Sequence, residues 1–333
     1  HKGMQAMFVM MNAERLSVGL QGLGLAEVSY QNAVAYAKDR LQGRSLSGVK
    51  NPDKVADPII HHPDVRKNLL TMKAFIEGAR ALSCWTSLHL DVSQKHEDLR
   101  VRQDADDMVA LMTPIIKAFF TDLAFDATNL GVQVLGGHGY IKEYGMEQYV
   151  RDARITQIYE GTNGIQAMDL VGRKMPEGMG RLLRQFFHPA VSFIEEKQED
   201  ERLSPYLMPF AKAYSRLQQA TAVTAQKGIK NPEEAGAAAT DYLHLFGYTA
   251  LAFMWVRIVD TVYQNYNKYP EKKSFYDTKL NKVKTVPYKH NYGYFFTSGP
   301  NTWHGMEKKE IKNERRCIQI NYVTFETDWK VKS

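Results

Sequence analysis

Cysteine is nearly absent from this chain. Cys84 and Cys317 are the two in 333 residues, far apart and without CxxC or Cys/His spacing. That excludes a disulfide scaffold and a cysteine-built metal framework, and it points to a reducing compartment. Long apolar runs are also missing. The most apolar stretch, Leu243 to Val256, is interrupted by His244, Gly247 and Thr249 and followed by Arg257. It is too short to span a bilayer and reads as a buried helix, so no membrane span is expected. No secretory leader is recognisable, and the chain opens His1-Lys2-Gly3 without an initiating Met. The expectation is a piece of a longer cytoplasmic protein. Charge of one sign is lacking too, except at the end. Residues 271–333 hold 13 Lys/Arg against 7 Asp/Glu, leaving thirty of each sign before them. The pI of about 9.0 therefore belongs to the tail, and nucleic acid is not an expected partner of the body.

What is present is helical periodicity. A chain of 333 residues with 44% hydrophobic content can build more than one core. Residues 4–40 read as a long helix with Met7, Met10, Leu16, Leu20 and Leu23 on its apolar side. After a polar connection over 42–58, a second helix follows His62-Pro63 to about Leu90, and a third covers about 103–130. The charged stretch Ser93–Arg102 reads as a loop. Shorter helices are expected over 146–155 and 162–173, then three more over about 179–200, 206–228 and 233–267. The expected fold class is all-α, with long antiparallel helices and short joins making a bundle. Three parts are expected: a helical bundle over 1–175, an accessory helical module over 176–285, and a β-rich tail over 286–333. Met175-Pro176-Glu177-Gly178 marks the first boundary. The tail contains the aromatic and β-branched stretches Tyr292–Phe296 and Ile318–Val323, which read as a short β-hairpin.

The most informative segment is Gln157-Ile158-Tyr159-Glu160-Gly161-Thr162-Asn163-Gly164-Ile165-Gln166. It sets one carboxylate on a glycine-flanked turn just before a helix, where the absence of a Cβ at Gly161 lets backbone approach a ligand. Thr162 or Asn163 is placed to cap that helix. Free N–H groups at the turn favour an oxygen gaining negative charge, and a base beside such donors suits proton abstraction next to a carbonyl. Upstream lie Gly131-Val132-Gln133-Val134-Leu135-Gly136-Gly137-His138-Gly139-Tyr140 and Tyr149-Val150-Arg151-Asp152-Ala153-Arg154.

Those three elements, in this order and spacing, resemble the C-terminal helical domain of the acyl-CoA dehydrogenase family. Leu245-Phe246-Gly247-Tyr248 and Met254-Trp255 resemble, more loosely, the extra helical module of a larger subgroup that includes enzymes acting on 3-methylmercaptopropionyl-CoA. The resemblance covers about 1–285 and only the rear of the family's enzymes. It implies flavin-dependent α,β-dehydrogenation of an acyl-CoA thioester, with FAD as cofactor and Glu160 as the base taking the α-proton. The oxyanion would be stabilised by the backbone N–H of Glu160 together with a flavin hydroxyl. It further implies an electron-transfer flavoprotein as acceptor and a homo-oligomer sharing flavin sites. Without counterparts of the family's N-terminal and β domains, these residues are expected to carry the base and part of the flavin site but not to turn over alone.

The other roles carry alternatives. Arg40 and Gln42 match the helix end that reaches the FAD pyrophosphate of a neighbouring subunit; Arg40 is equally read as a cation at a helix C-terminus. Arg44 stands where the family has an aromatic. Gln133, Gly136 and Gly137 match a segment against the adenosine half of FAD, or serve tight helix packing. Thr162 matches a flavin contact, compatible with capping. Arg15 matches a position near the CoA moiety, or pairs with Glu14 or Asp39 on a solvated face. Tyr159 and Gly161 are placed at the acyl site, with a core tyrosine as the alternative for Tyr159.

Residues 287–331 resemble the last strands of an iron- and 2-oxoglutarate-dependent oxygenase, His304 matching an iron ligand and Arg315 the 2-oxoglutarate partner. That family needs an earlier His-x-Asp/Glu on a partner strand. The matches here, at 62–64, 89–91 and 96–98, fall in helical or loop segments, so the tail is expected to be non-catalytic and no metal site is expected. A third reading is a non-catalytic helical interaction module.

Overall fold

The computed structural model describes residues 3–268, which form nine α-helices joined by turns and, between the first two, by a longer connection over 40–62. The tail expected to be β-rich, with His304 and Arg315, lies outside the described residues. The long elements are α1 (Gly3–Asp39), α2 (Pro63–Lys95), α3 (Leu99–Leu135), α8 (Ser204–Lys230) and α9 (Pro232–Lys268). Between them come α4 (Gly137–Tyr140), α5 (Met146–Thr156), α6 (Asn163–Asp169) and α7 (Arg181–Lys197). Helix α6 runs on as a π-helical turn over Leu170–Lys174.

The sequence already carries the start signals. Pro63 opens α2, where its missing N–H costs nothing. The carboxylate of Asp98 accepts from Arg100 N at 2.7 Å and caps α3. The charged stretch 93–102, expected to be a loop, is mostly helix. Residues 96–98 alone separate α2 from α3, because its charges sit at helical spacing. Lys95 Nζ pairs with Asp91 at 2.6 Å, an i,i+4 contact that supports the last turn of α2. Arg102 Nε donates to Ser93 O at 2.9 Å and closes the corner.

Helices α1 and α2 run antiparallel. Leu41 bridges to Pro58 at the connection, and Arg80 of α2 reaches Glu27 of α1 at 2.5 Å and Glu77 at 3.0 Å. Helices α1 and α3 run parallel. Gly19 packs on Ile116, Gly131 on Ser29, and Tyr36 OH lies 2.7 Å from His138 Nδ1 just past the end of α3. Helices α8 and α9 form an antiparallel hairpin in which Thr221 meets Tyr242 and Phe210 stacks on Phe253. Helix α9 lies between α8 and the α2/α3 pair: Trp255 Nε1 donates to Ala74 O at 3.0 Å, and Phe119 packs edge-on to His244 and Tyr248. Buried side chains from Leu23 to Val256 make one continuous cluster, including Met175 at the proposed boundary. By length and composition α3 and α9 could each cross a membrane, but 72% and 50% of their apolar stretches are buried inside the bundle, the position of core helices.

Helices α9 and α3 approach closely at Gly247. A Cβ there would lie within 2.6 Å of Phe119 Cδ1, and Phe119 is itself fully buried. Gly247→Ala is expected to lower unfolding stability by about 1–3 kcal/mol through overpacking. Urea titration checks this; an unchanged midpoint would mean that α9 can slide away from α3.

Candidate functional site

The turn between α5 and α6 is strained and doubly held. Glu160 has φ 57, one of two non-glycine residues with positive φ among those described, and Gly161 follows with φ 86. For a residue bearing a Cβ the left-handed region costs about 1–2 kcal/mol, so the surroundings must enforce it. They do so through carbonyls. Glu160 O accepts from Arg15 Nε at 3.3 Å and from Gln166 Nε2 at 3.2 Å, and Gly161 O accepts from Gln166 Nε2 at 3.1 Å. A Cβ at Gly161 would lie 2.8 Å from that same amide nitrogen and push the Gln166 clasp aside, and its φ of 86 favours glycine. Asn163 N closes the turn onto Gln157 O at 3.1 Å. The Glu160 side chain is half-buried, and its carboxylate has no hydrogen bond or ion pair to another described residue.

Several alternative readings of these residues are excluded in this setting. Arg15 is not on a solvated face paired with Glu14 or Asp39. It is 4% exposed, donates to Asn12 Oδ1 at 3.1 Å and faces Asp169 at 3.8 Å. Its guanidinium ties α1 to the turn and to α6. Thr162 occupies the N-cap position of α6, but neither its side chain nor that of Asn163 caps the helix. The Thr162 hydroxyl is left exposed, while Asn163 turns inward. Tyr159 is half-buried and donates its hydroxyl to Gln21 Oε1, so it lies on the turn's surface against α1 rather than in the core.

Beneath the turn lies a polar network that the sequence did not reveal. Lys117 of α3 is 0% exposed and donates from Nζ to Asn163 Oδ1 at 2.8 Å. Asn163 Nδ2 is shared among Ala118 O at 3.2 Å, Thr121 Oγ1 at 2.9 Å and Asp122 Oδ1 at 2.6 Å. Asp122 Oδ1 also accepts from Gln157 Nε2 at 2.7 Å, and its Oδ2 lies 2.8 Å from His244 Nε2 of α9. Burial alone would raise the Asp122 carboxyl, but the hydrogen bonds from His244, Asn163 and Gln157 outweigh it and hold it below its ordinary value. Burial pulls Lys117 down from 10.5 to about 8 against the opposing attraction of Asp122 and, more weakly, Glu160. The available signal was Lys117 itself, the single charged residue in the run 108–121.

A cleft of about 400 Å³ opens beside the turn, lined by Asp122, Phe125, Arg154, Ile158, Thr162 and Gly164 among others. The remaining candidates lie elsewhere. Arg40, Gln42, Gln133, Gly136 and Gly137 are all exposed, at the end of the α1/α3 pair marked by the Tyr36–His138 contact. At about 1.5 Å of rise per residue, Arg15 to Arg40 is about 37 Å along α1, so the two groups do not converge. The connection bearing Gln42 is organised by buried Asp57, which accepts from Ser45, Lys50 and Asn51 N at 2.7–3.0 Å. These bonds, that from Ser45 first, bring its carboxyl down to about 2. Arg44 braces the same connection, donating to Lys54 O at 2.6 Å and pairing with Asp57 at 3.3 Å, so it is occupied within the loop. Among the described residues no cluster of three or more His, Cys, Asp or Glu is placed to hold a metal ion.

Residues 1–175 match the profile described as "Acyl-CoA dehydrogenase, C-terminal domain", and 186–284 match "Acetyl-CoA dehydrogenase C-terminal like". The bundle is thus the C-terminal helical region of a dehydrogenase. The chain belongs to the acyl-CoA dehydrogenase family. It is 46% identical over 186 residues to 3-methylmercaptopropionyl-CoA dehydrogenase of Ruegeria pomeroyi, covering 56% of this chain and 31% of that protein. It is 30% identical over 292 residues to the broad-specificity linear acyl-CoA dehydrogenase FadE5 of Mycobacterium tuberculosis, covering 84% and 47%. The chain therefore spans less than half the length of these curated relatives. In fold it resembles the crystal structure of an acyl-CoA dehydrogenase complexed with FAD from Bacillus anthracis, with a TM-score of 0.63 at 22% identity over 81% of this chain and 46% of that one. The family matches end at residue 284, so the oxygenase likeness of the tail gains no support from them.

Folded molecules hold Lys117 at about 8 while the unfolded chain titrates near 10.5, so the native state binds fewer protons between those values. Below about pH 8 the cost of the buried ammonium is fully present; it is relieved as pH rises towards 10.5. The stability of the wild type relative to Lys117→Met is expected to rise by about 3 kcal/mol across that window. Urea titrations of both chains from pH 7 to 10 check this, and a flat difference would mean that Lys117 keeps its ordinary affinity for protons.

Proposed function

We propose that this chain supplies the base of a flavin-dependent dehydrogenation that introduces an α,β double bond into an acyl-CoA thioester, with Glu160 removing the α-proton. The observation carrying this reading is the turn itself. Its backbone is fastened by Arg15, Gln166 and Asn163, while its carboxylate remains uncommitted to any described side chain. A general base needs both a fixed position and a free lone pair. Family membership supplies the reaction class, and fatty acyl-CoA metabolism is the setting it implies. Tyr159 and Gly161 flank the carboxylate at the acyl site. Arg15 serves by holding the turn, a role compatible with a CoA group passing nearby.

The residues present fit FAD by their chemistry. Thr162 offers a hydroxyl that its helix does not use, and Arg40, Gln42 and Gln133 are exposed with side chains bonded to no other described residue. When bound, FAD would supply the hydride acceptor. Thr162 would hold it near the base. Arg40, Gln42, Gln133, Gly136 and Gly137, at the far end of α1/α3, would hold a neighbouring copy's cofactor, which makes a homo-oligomer part of this proposal. The division at 175/176 separates roles rather than cores: 1–175 carries the chemistry and 176–285 supports it. An electron-transfer flavoprotein as acceptor and a cytoplasmic location, without membrane or nucleic-acid partners, complete the reading.

The test is Glu160→Gln, assayed in the 333-residue chain and in a chimera joined to the preceding part of the Ruegeria pomeroyi relative. Acyl-CoA-dependent bleaching of flavin absorbance is expected in the chimera and to fall about 10²–10⁴-fold in the variant, with thermal stability retained. Equal rates in the two would overturn the assignment of the base. Electron-transfer flavoprotein should accept the electrons; reduction of dioxygen alone would remove it as partner.

A further inference from the structure

We propose that the accessory helices position the base: His244 of α9 holds Asp122, and Asp122 grips both ends of the turn that carries Glu160. The link rests on the reading of Glu160 as base for its purpose, though its mechanics can be measured apart from that reading. Gln157 follows directly on α5 and Asn163 is the first residue of α6. Asp122 Oδ1 accepts from both, at 2.7 and 2.6 Å, so a single oxygen pins the two feet of the loop. Its other oxygen takes the His244 hydrogen bond at 2.8 Å. His244 is itself fixed, lying edge-on to Phe119 with ring centroids 5.6 Å apart and one helical turn from the Gly247 crossing. Deprived of this donor, the Asp122 carboxylate could turn about its side-chain bonds and release one foot of the loop. Lys117 secures Asn163 from the opposite side, which orients the amide so that its NH₂ faces Asp122.

Two features argue for a local rather than a global role. The His244 and Asp122 side chains are 28% and 21% exposed, and polar contacts so near solvent add little to overall stability. The pair also joins residues 122 positions apart, from the stretches matched by the two different family profiles. His244 and Asp122 are accordingly positioning residues. They act on the carboxylate through Gln157 and Asn163 and touch no reacting atom.

Hydrogen exchange on the 333-residue chain tests this. The reporters are the amides of Ile158, Tyr159 and Asn163, bonded to Ile155 O at 3.0 and 3.3 Å and to Gln157 O at 3.1 Å. His244→Ala is expected to speed their exchange about tenfold, the effect of one lost charge-assisted hydrogen bond, while amides of α3 and α8 keep their protection. His244→Gln, which retains a donor, should restore the wild-type rate. Unchanged exchange at the turn would overturn the proposal, as would equal acceleration in the turn and in α8, the mark of a purely structural contact. If His244→Ala does not fold, Asp122→Asn takes its place with the same local acceleration expected and the same results overturning it. Exchange scores the link, and the Glu160→Gln assay scores the base, so the failure of one is separable from failure of the other.

Discussion

The amide of Asn163 is the joint on which the site depends. It receives a hydrogen bond from a buried lysine on one face and gives its own to Asp122, Thr121 and the α3 backbone on the other. A left-handed glutamate is intrinsically unfavourable, and its own side chain does nothing to keep it there. What keeps it is backbone capture by Arg15 and Gln166 above the turn and the Asn163 joint below it. The carboxylate is thus left free by a structure that fixes everything adjacent to it, as preorganised acid–base sites require.

Burying Lys117 is the other side of this arrangement. An ammonium inside a bundle is disfavoured by desolvation, and the lowered proton affinity of Lys117 records that. The fold retains it where Asp122 and, more weakly, Glu160 attract it, and where Asn163 needs a donor. The Lys117 side chain is fully buried. The cation therefore acts through geometry and field rather than through contact with water.

Much of this was legible beforehand. Helical spacing revealed the long helices, and the sequence Tyr159-Glu160-Gly161-Thr162 pointed to the turn and its carboxylate, because glycine chemistry is local. The all-α class followed from periodicity. Charge density misled at 93–102, where i,i+4 pairing and an aspartate cap make helix from residues that look solvated. The alternative that put Arg15 on a solvated face fails because periodicity says which face of α1 is apolar but not what packs against it. Thr162 and Asn163 looked alike as caps, and only the position of Lys117 and Asp122 shows why Asn163 turns inward. Asp122 and His244 were beyond reach, since nothing within either segment indicates its partner in the other.

The crossing at Gly247 carries a consequence for how the two halves of the bundle relate. Phe119 and Asp122 share one face of α3, and Gly247 and His244 share the facing surface of α9. With only hydrogen atoms on Gly247 between the α9 backbone and the Phe119 ring, the accessory helix cannot draw nearer to α3 there. The two halves meet at that contact, so a shift of α9 there carries His244 with it and moves the donor that Asp122 accepts from.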